Sequence, residues 1–209
     1  MVRIFALLGF IALSPVLIVI ACAIAIADGP PVLFRQTRIG LGGRPFELLK
    51  FRSMITNTPG PRVTAATDNR ITRVGSVLRR FKLDELPQLW NIVRGEMCVI
   101  GPRPEVPHFV NCADPLWCTI LASKPGLTSL ATLTYRHEEE IVAQSDSPEQ
   151  YYRDVLLPDK LRLDAGYLRS RTIISDTQLV FLTFLSSIAP ALRKPERIQQ
   201  IFASKACRQ

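Results

Sequence analysis

Histidine and paired cysteine are what this chain has least of. Two histidines, His108 and His137, occur in 209 residues, so chemistry built on several imidazoles is excluded. The five cysteines (Cys22, Cys98, Cys112, Cys118 and Cys207) form no CxxC pair and are odd in number. That argues against a zinc site and against a disulfide framework, and reduced thiols facing a cytoplasm are the simplest reading. No internal repeat or long low-complexity run is present, which excludes solenoid architectures. Charge is missing altogether from one stretch, residues 4–27, "IFALLGFIALSPVLIVIACAIAIA".

The rest of the composition is that of a globule: 47% apolar and 21% charged, a size for one domain with appendages. The net charge of +8 is uneven. Residues 28–109 hold 13 Lys/Arg against 7 Asp/Glu, and residues 110–209 hold 12 against 11. A positive field in the middle of the chain points to phosphate-bearing partners (nucleotide, nucleic acid or anionic lipid), with a merely solvated basic surface as the plain alternative. Aromatics, at 8% of the chain, are too thinly interleaved with the basic residues for a nucleic-acid stacking surface. No nucleic-acid partner is expected.

At about 1.5 Å per residue, a helix over the uncharged stretch reaches about 36 Å, enough to cross a hydrocarbon core of about 30 Å. Ala23-Ile24-Ala25 resembles a signal cleavage site, but the run is longer than a usual signal core and a basic segment follows it. Ser14-Pro15 near its middle removes a backbone hydrogen bond and predicts a kink. The bend either tilts a spanning helix or returns it to the leaflet it entered. Both place the basic flank from Arg35 to Arg52, and with it the soluble part, in the cytoplasm.

Asp28-Gly29-Pro30-Pro31 ends that helix. The following stretch predicts a β-hairpin, Val32–Arg38 and Pro45–Phe51, around turns at Gly40 and Gly42-Gly43. Lys50 and Arg52, two apart, share a face; Arg35 and Arg38 lie three apart. The polar stretch 56–70 reads as a mobile loop. Val74, Val77, Leu78 and Phe81 then predict a helix from Thr72 to Lys82. In "LDELPQLWNIVRGEM", Asp84 reads as the N-cap of a second helix ended by Gly95, with Pro87 in its first turn.

Two readings of Asp84 and Glu85 stay open on this evidence. In one they only start a helix, favoured there by its positive end. In the other they do chemistry on something negatively charged. Arg103, between Pro102 and Pro104, supports the second, because the prolines fix the backbone that presents a guanidinium matched to phosphate oxygens. A carboxylate can attack phosphorus, and its neighbour can hold Mg²⁺, which uses one or two carboxylates plus substrate phosphates. The rival class is a membrane-tethered basic module that binds nucleic acid or anionic lipid without catalysis.

The Ser14-Pro15 interruption, "GPPVLFRQTRIGLGGRPFELLKFRSM", "LDELPQLWNIVRGEM", "IGPRPE" and "KPGLTSL" together resemble the bacterial sugar transferase family, the monotopic phosphoglycosyl transferases. The resemblance runs from about residue 3 to residue 130, and more weakly to about residue 190. It implies transfer of a phosphosugar from a UDP-sugar to polyprenol phosphate with release of UMP, initiating lipid-linked glycan assembly. It implies that Asp84 is the nucleophile, Glu85 the Mg²⁺ ligand, Arg103 a phosphate ligand, and Lys50 and Arg52 further site residues, with Arg35, Pro102 and Pro104 contributing to substrate binding. It favours a re-entrant helix broken at Ser14-Pro15, at the bacterial inner membrane with the catalytic part on the cytoplasmic face. The sugar, the polyprenol and the oligomeric state, a homodimer included, are left open. The chain departs from the family pattern where Ala6 stands near the place of an acid, and where "SLATLTYRHEEE" follows "KPGLT".

The expected architecture is therefore α/β and membrane-associated. A re-entrant helix (1–28) leads to a catalytic globule with a small β-hairpin (29–150), and amphipathic interfacial helices and a tail follow (151–209). Pro158 is expected to break the helical "YYRDVLLPDKLRLDAGYLRSRT". Residues 173–189 are expected to lie in the interface with Phe181, Phe184 and Leu185 inward, or else to pack on the globule. The basic tail after Pro190 is placed against anionic headgroups or in solvent.

Overall fold

A computed structural model of the chain describes residues 2–56, 63–65 and 68–188. The polar loop expected over 56–70 lies in large part outside the described residues, and the basic tail beyond Pro190 wholly so.

The uncharged stretch forms two helices, α1 (Val2–Ala12) and α2 (Ser14–Asp28), bent by 57° at the Ser14-Pro15 break. Proline at the start of α2 has no N–H to give the preceding turn, so the axis turns there. No single described helix is long and apolar enough to cross a membrane, whereas the bent pair together meets that test. One side of the pair is packed. Ala6 joins Leu48, Ile92 and Met97 in one apolar cluster, and Ile20 and Ile24 join Phe51 and Leu78 in another. The other side presents Phe5, Leu8, Ile18, Val19 and Ile26 outward.

The hairpin forms as expected, one residue later at its start. β1 (Leu33–Ile39) pairs antiparallel with β2 (Pro45–Phe51), and Arg35 faces Leu49 while Phe34 faces Lys50. Gly42 and Gly43, at φ 65° and 75°, supply the left-handed turn that a side chain resists. The next helix, α3 (Arg73–Arg80), is capped by the Thr72 hydroxyl, which accepts the Gly75 N–H at 2.9 Å. After a tight turn comes α4 (Gln88–Arg94), closed by Gly95 as expected. Asn91 fastens α4 to the hairpin: its Oδ1 accepts the Leu49 N–H at 3.1 Å, and its Nδ2 donates to the Glu47 carbonyl at 2.7 Å.

A second sheet was not foreseen. β3 (Cys98–Ile100) runs parallel to β4 (Gly126–Thr128). The two strands hold the Gly101–Glu105 loop, with Gly101 N–H donating to Thr128 O at 3.0 Å and Gly126 N–H to Pro102 O at 2.9 Å. A Cβ on Gly126 would sit 2.1 Å from the Gly101 nitrogen, so this approach requires glycine.

Five helices follow β3 before the last: α5 (Pro115–Leu121), α6 (Leu130–Thr134), α7 (Glu138–Val142), α8 (Pro148–Tyr151) and α9 (Leu157–Ser170). A π-helical turn, Tyr152–Leu156, joins α8 to α9. Pro158 does not end the helix: it follows directly on the π-helical turn, where the regular α ladder is already interrupted. Phe109, Trp117, Val142, Tyr152 and Leu161 form the main core, joining residues on either side of position 150. The last helix, α10 (Ile173–Ile188), packs Leu179 and Leu182 on Leu130, Leu133 and Tyr167. Its Phe181 and Phe184 are 58% and 61% exposed, so this helix packs on the globule while turning an aromatic edge outward.

Candidate active site

The chain reverses between α3 and α4 through a 3₁₀ turn, Leu83–Glu85, and both acids of the Asp84-Glu85 pair are buried in it. Asp84 is not a helix cap. The turn separates it from α4, whose preceding residue is Pro87 and which has no side-chain cap. Asp84 Oδ1 is buried without a hydrogen-bond partner among the described residues. Burial, and then the neighbouring Glu85 charge, push its carboxyl above the ordinary aspartate value, against the pull of Lys50 and Lys82.

Glu85 is placed quite differently. Arg103 Nη2 donates to its Oε1 at 2.7 Å, and Lys50 Nζ approaches the same oxygen at 3.2 Å. Burial opposes the Glu85 charge, but Arg103, Lys50 and Lys82 together outweigh it and hold this carboxyl well below the usual range. The same ion pair raises Arg103 above its ordinary value, while burial lowers Lys50. Two adjacent carboxyls are thus driven in opposite directions, Asp84 raised and Glu85 lowered.

A cavity of about 470 Å³ opens over the pair, with Lys50, Arg52 and Arg103 on its wall. Pro102 and Pro104 shape the loop rather than line the space, and the Pro104 carbonyl accepts from Arg38 Nη1 at 3.0 Å. Arg35 lies on the other face of the hairpin, exposed and 3.7 Å from Glu47; strand alternation puts Arg38, three residues on, into the cavity instead. Of the sequence-predicted residues the site therefore gathers Asp84, Glu85, Arg103, Lys50 and Arg52, and leaves Arg35 outside.

The far wall holds residues that sequence reasoning missed. Tyr152 donates its hydroxyl to Glu105 Oε1 at 2.5 Å and accepts from Lys160 Nζ at 3.0 Å. Lys160 also donates to Glu138 Oε2 at 2.9 Å, and Arg38 Nη1 lies 3.4 Å from Glu105 Oε2. Burial works against the Glu138 carboxylate, but Lys160 and Arg103 hold it down to about 2. Phe34, Phe109 and Val106 add apolar surface. The one local signal for Arg38 was its face of the strand; nothing local announced Glu138, Tyr152 or Lys160. Among the described residues no group of three or more His, Cys, Asp or Glu is placed to hold a metal. A buried carboxyl with one free oxygen, set among guanidinium and ammonium groups, suits attack on a phosphate-bearing ligand.

Comparison with known proteins gives the family. Residues 2–190 match the profile of the family described as bacterial sugar transferase. A UDP-glucose:undecaprenyl-phosphate glucose-1-phosphate transferase of Caulobacter vibrioides is 36% identical over 176 residues, covering 81% of this chain and 61% of the relative. The protein of the same name from Escherichia coli is 37% identical, over 82% of this chain and 36% of the relative. The exopolysaccharide production protein ExoY of Sinorhizobium fredii is 34% identical, over 85% of this chain and 79% of the relative. This chain thus spans from about a third to about four-fifths of the length of these relatives. With the profile covering the helix pair, the acid pair and the Gly-Pro-Arg-Pro loop in one continuous match, the chain belongs to the bacterial sugar transferase family.

Proposed function

We propose that this protein moves a phosphosugar from a UDP-sugar to a polyprenol phosphate, releasing UMP, through a covalent intermediate on Asp84. The observation that carries the reading is Asp84 itself: buried, with an unpartnered oxygen, at the floor of a cavity walled by Lys50, Arg52 and Arg103. A carboxyl whose basicity is raised by burial is a better nucleophile once ionised. Its oxygen attacks the phosphorus that bears the sugar; a P–O bond to Asp84 forms as the bridging P–O bond breaks, and UMP leaves with the electron pair. A phosphate oxygen of the acceptor then attacks the same phosphorus, and the Asp84 carboxylate departs unchanged.

The remaining residues bind and orient. Arg103 and Lys50 meet the diphosphate and balance charge that builds on its oxygens. Phe34, Phe109 and Val106 offer apolar surface to the nucleoside. Mg²⁺ fits a donor set of this kind, because it takes one or two protein carboxylates and completes its shell with substrate phosphates. The free Asp84 Oδ1 and the Glu85 carboxylate are the groups that would hold it, and when bound it would supply further charge neutralisation at the diphosphate. The bent helix pair, with its packed inner and apolar outer sides, fits insertion into one leaflet of the cytoplasmic membrane.

The test is UMP release from a panel of UDP-sugars by detergent-purified protein with Mg²⁺ and undecaprenyl phosphate. Release with one donor, partial without acceptor and absent in Asp84→Asn, is the expected result. A folded protein that releases UMP from no donor would leave the non-catalytic binding module as the better reading.

A further inference from the structure

Lys82 is the only non-glycine described residue with a positive φ, at 58° with ψ 25°. It stands where α3 has ended and the turn carrying Asp84 and Glu85 begins. Its N–H donates to Arg79 O at 3.1 Å, and its carbonyl accepts the Glu85 N–H at 3.3 Å. A left-handed residue after a helix is ordinarily glycine or asparagine, because a longer side chain strains there. Strain of this kind persists where the surroundings over-determine it, often beside a functional group.

The side chain that this backbone carries is as unusual as its φ. Among the described residues the Lys82 ammonium has no ion-pair or hydrogen-bond partner, although most cations around it have one: Arg79 with Glu139 at 2.6 Å, Lys50 and Arg103 with Glu85. It lines the cavity over Asp84, and it also lines a second cavity of about 760 Å³ together with Arg73, Arg79, Arg80 and Arg136. The two cavities share Arg79, Lys82 and Glu139, and Arg79 is neutralised by Glu139. Lys82 is therefore the uncommitted charge on the shared wall.

We propose that Lys82 is a substrate phosphate ligand, and that its left-handed backbone serves to hold an ammonium between the two cavities, in reach of the phosphate being transferred. This rests on the phosphosugar-transfer reading for its place in the reaction, but the ligand chemistry it claims is simply a diphosphate or phosphate oxygen. Beside Lys50 and Arg103, which share Glu85, it adds a cation that gives up no ion pair when a phosphate oxygen arrives.

Four proteins test this: the full chain in detergent and its Lys82→Arg, Lys82→Asn and Lys82→Gly variants. Asparagine tolerates the left-handed conformation and glycine relieves it, so both keep the turn while removing the charge. The first readout is calorimetric binding of inorganic pyrophosphate, which needs no turnover. Lys82→Asn and Lys82→Gly should melt at or above the wild-type temperature and bind pyrophosphate on the order of 10-fold more weakly, as expected for loss of one charge-assisted bond. Lys82→Arg should bind within about threefold of wild type. The second readout is UMP release in the absence and presence of acceptor, in which both half-reactions should slow in the Asn and Gly variants. Equal pyrophosphate binding by all four proteins, or none by the wild type, overturns the proposal whatever the turnover. Weakened binding without UMP release from any donor sustains the phosphate ligand and rejects the transfer reaction instead.

Discussion

The two walls of the main cavity are built on opposite principles. On the far wall every charge is spoken for: Lys160 meets Glu138 and Tyr152, Tyr152 meets Glu105, and Glu105 meets Arg38. On the wall that carries the acid pair, Asp84 keeps a free buried oxygen, and the half-buried Lys82 an unpaired ammonium, among the described residues. A buried unpaired group costs stability, and a buried paired one costs little. The near wall thus holds free energy that a ligand can release, whereas the far wall is scaffold. The two should answer differently to substitution.

The largest expected effect is on the near wall. Asp84→Asn should lower UMP release by at least about 10³-fold, since the amide cannot form the proposed covalent intermediate. Its melting temperature should hold or rise, because a buried carboxyl is replaced by a neutral group. A parallel assay of turnover and thermal unfolding checks both halves, and an Asp84→Asn protein that keeps its rate would undo the contrast.

The far wall should show the reverse. Lys160→Met leaves Glu138 without its ion-pair partner and Glu105 with Arg38 alone, and should cost about 3–5 kcal/mol in denaturant unfolding. The fraction that remains folded should keep turnover far better than Asp84→Asn does.

Acid sharpens the comparison further. The Glu138 carboxyl is held down to about 2 against an ordinary value of 4.5, so the folded state binds its proton later than the unfolded chain does. Its contribution to stability is complete above about pH 4.5 and lost as the pH falls from there toward 2. Asp164, behind the site, has the opposite sign. It accepts the Ala131 N–H at 2.9 Å, yet burial pushes its carboxyl up to about 6. The folded state then binds the extra proton, and stability from this group falls as the pH rises from about 4 to 6. Melting curves across pH 2–7 for Glu138→Gln and Asp164→Asn, each taken as a difference from wild type, should therefore slope in opposite directions. Two differences of the same slope would show that one of these environments is misassigned.

The smallest effect belongs to a residue on neither wall. Arg35→Ala removes an exposed ion pair with Glu47 and should change both stability and KM for the donor by less than about twofold.

How far these walls were legible in the sequence follows from how local their causes are. The hairpin, the Gly95 stop and the bend at Ser14-Pro15 each depend on neighbours within a few residues, and each is within a residue of where it was expected. The near wall was legible because Lys50, Asp84, Glu85 and Arg103 sit in short marked motifs. Asp84 as a cap was a local inference that failed, since a 3₁₀ turn intervenes before α4. The far wall was not legible, because its partners come from Arg38, Glu105, Glu138, Tyr152 and Lys160, and only the folded chain brings them together. Glu138 stood in a run of three acids that reads like any solvated face, and Lys160 in a mixed-charge helix. The parallel β3–β4 pair was hidden by its brevity, three residues per strand.

The π-helical turn at Tyr152–Leu156 has a consequence for how this region tolerates change in length. A π turn holds one residue more than an α turn, and each residue advances a helix by about 100°. Loss of a single codon there would turn the π turn into α geometry and leave Pro158 inside a regular helix. It would also rotate everything downstream, carrying Lys160 away from Glu138 and Asp164 away from the Ala131 amide. The irregular turn is thus a phase setting: for chains that share this wall, residues may be exchanged along the segment, but the number between Tyr152 and Lys160 is not free to drift.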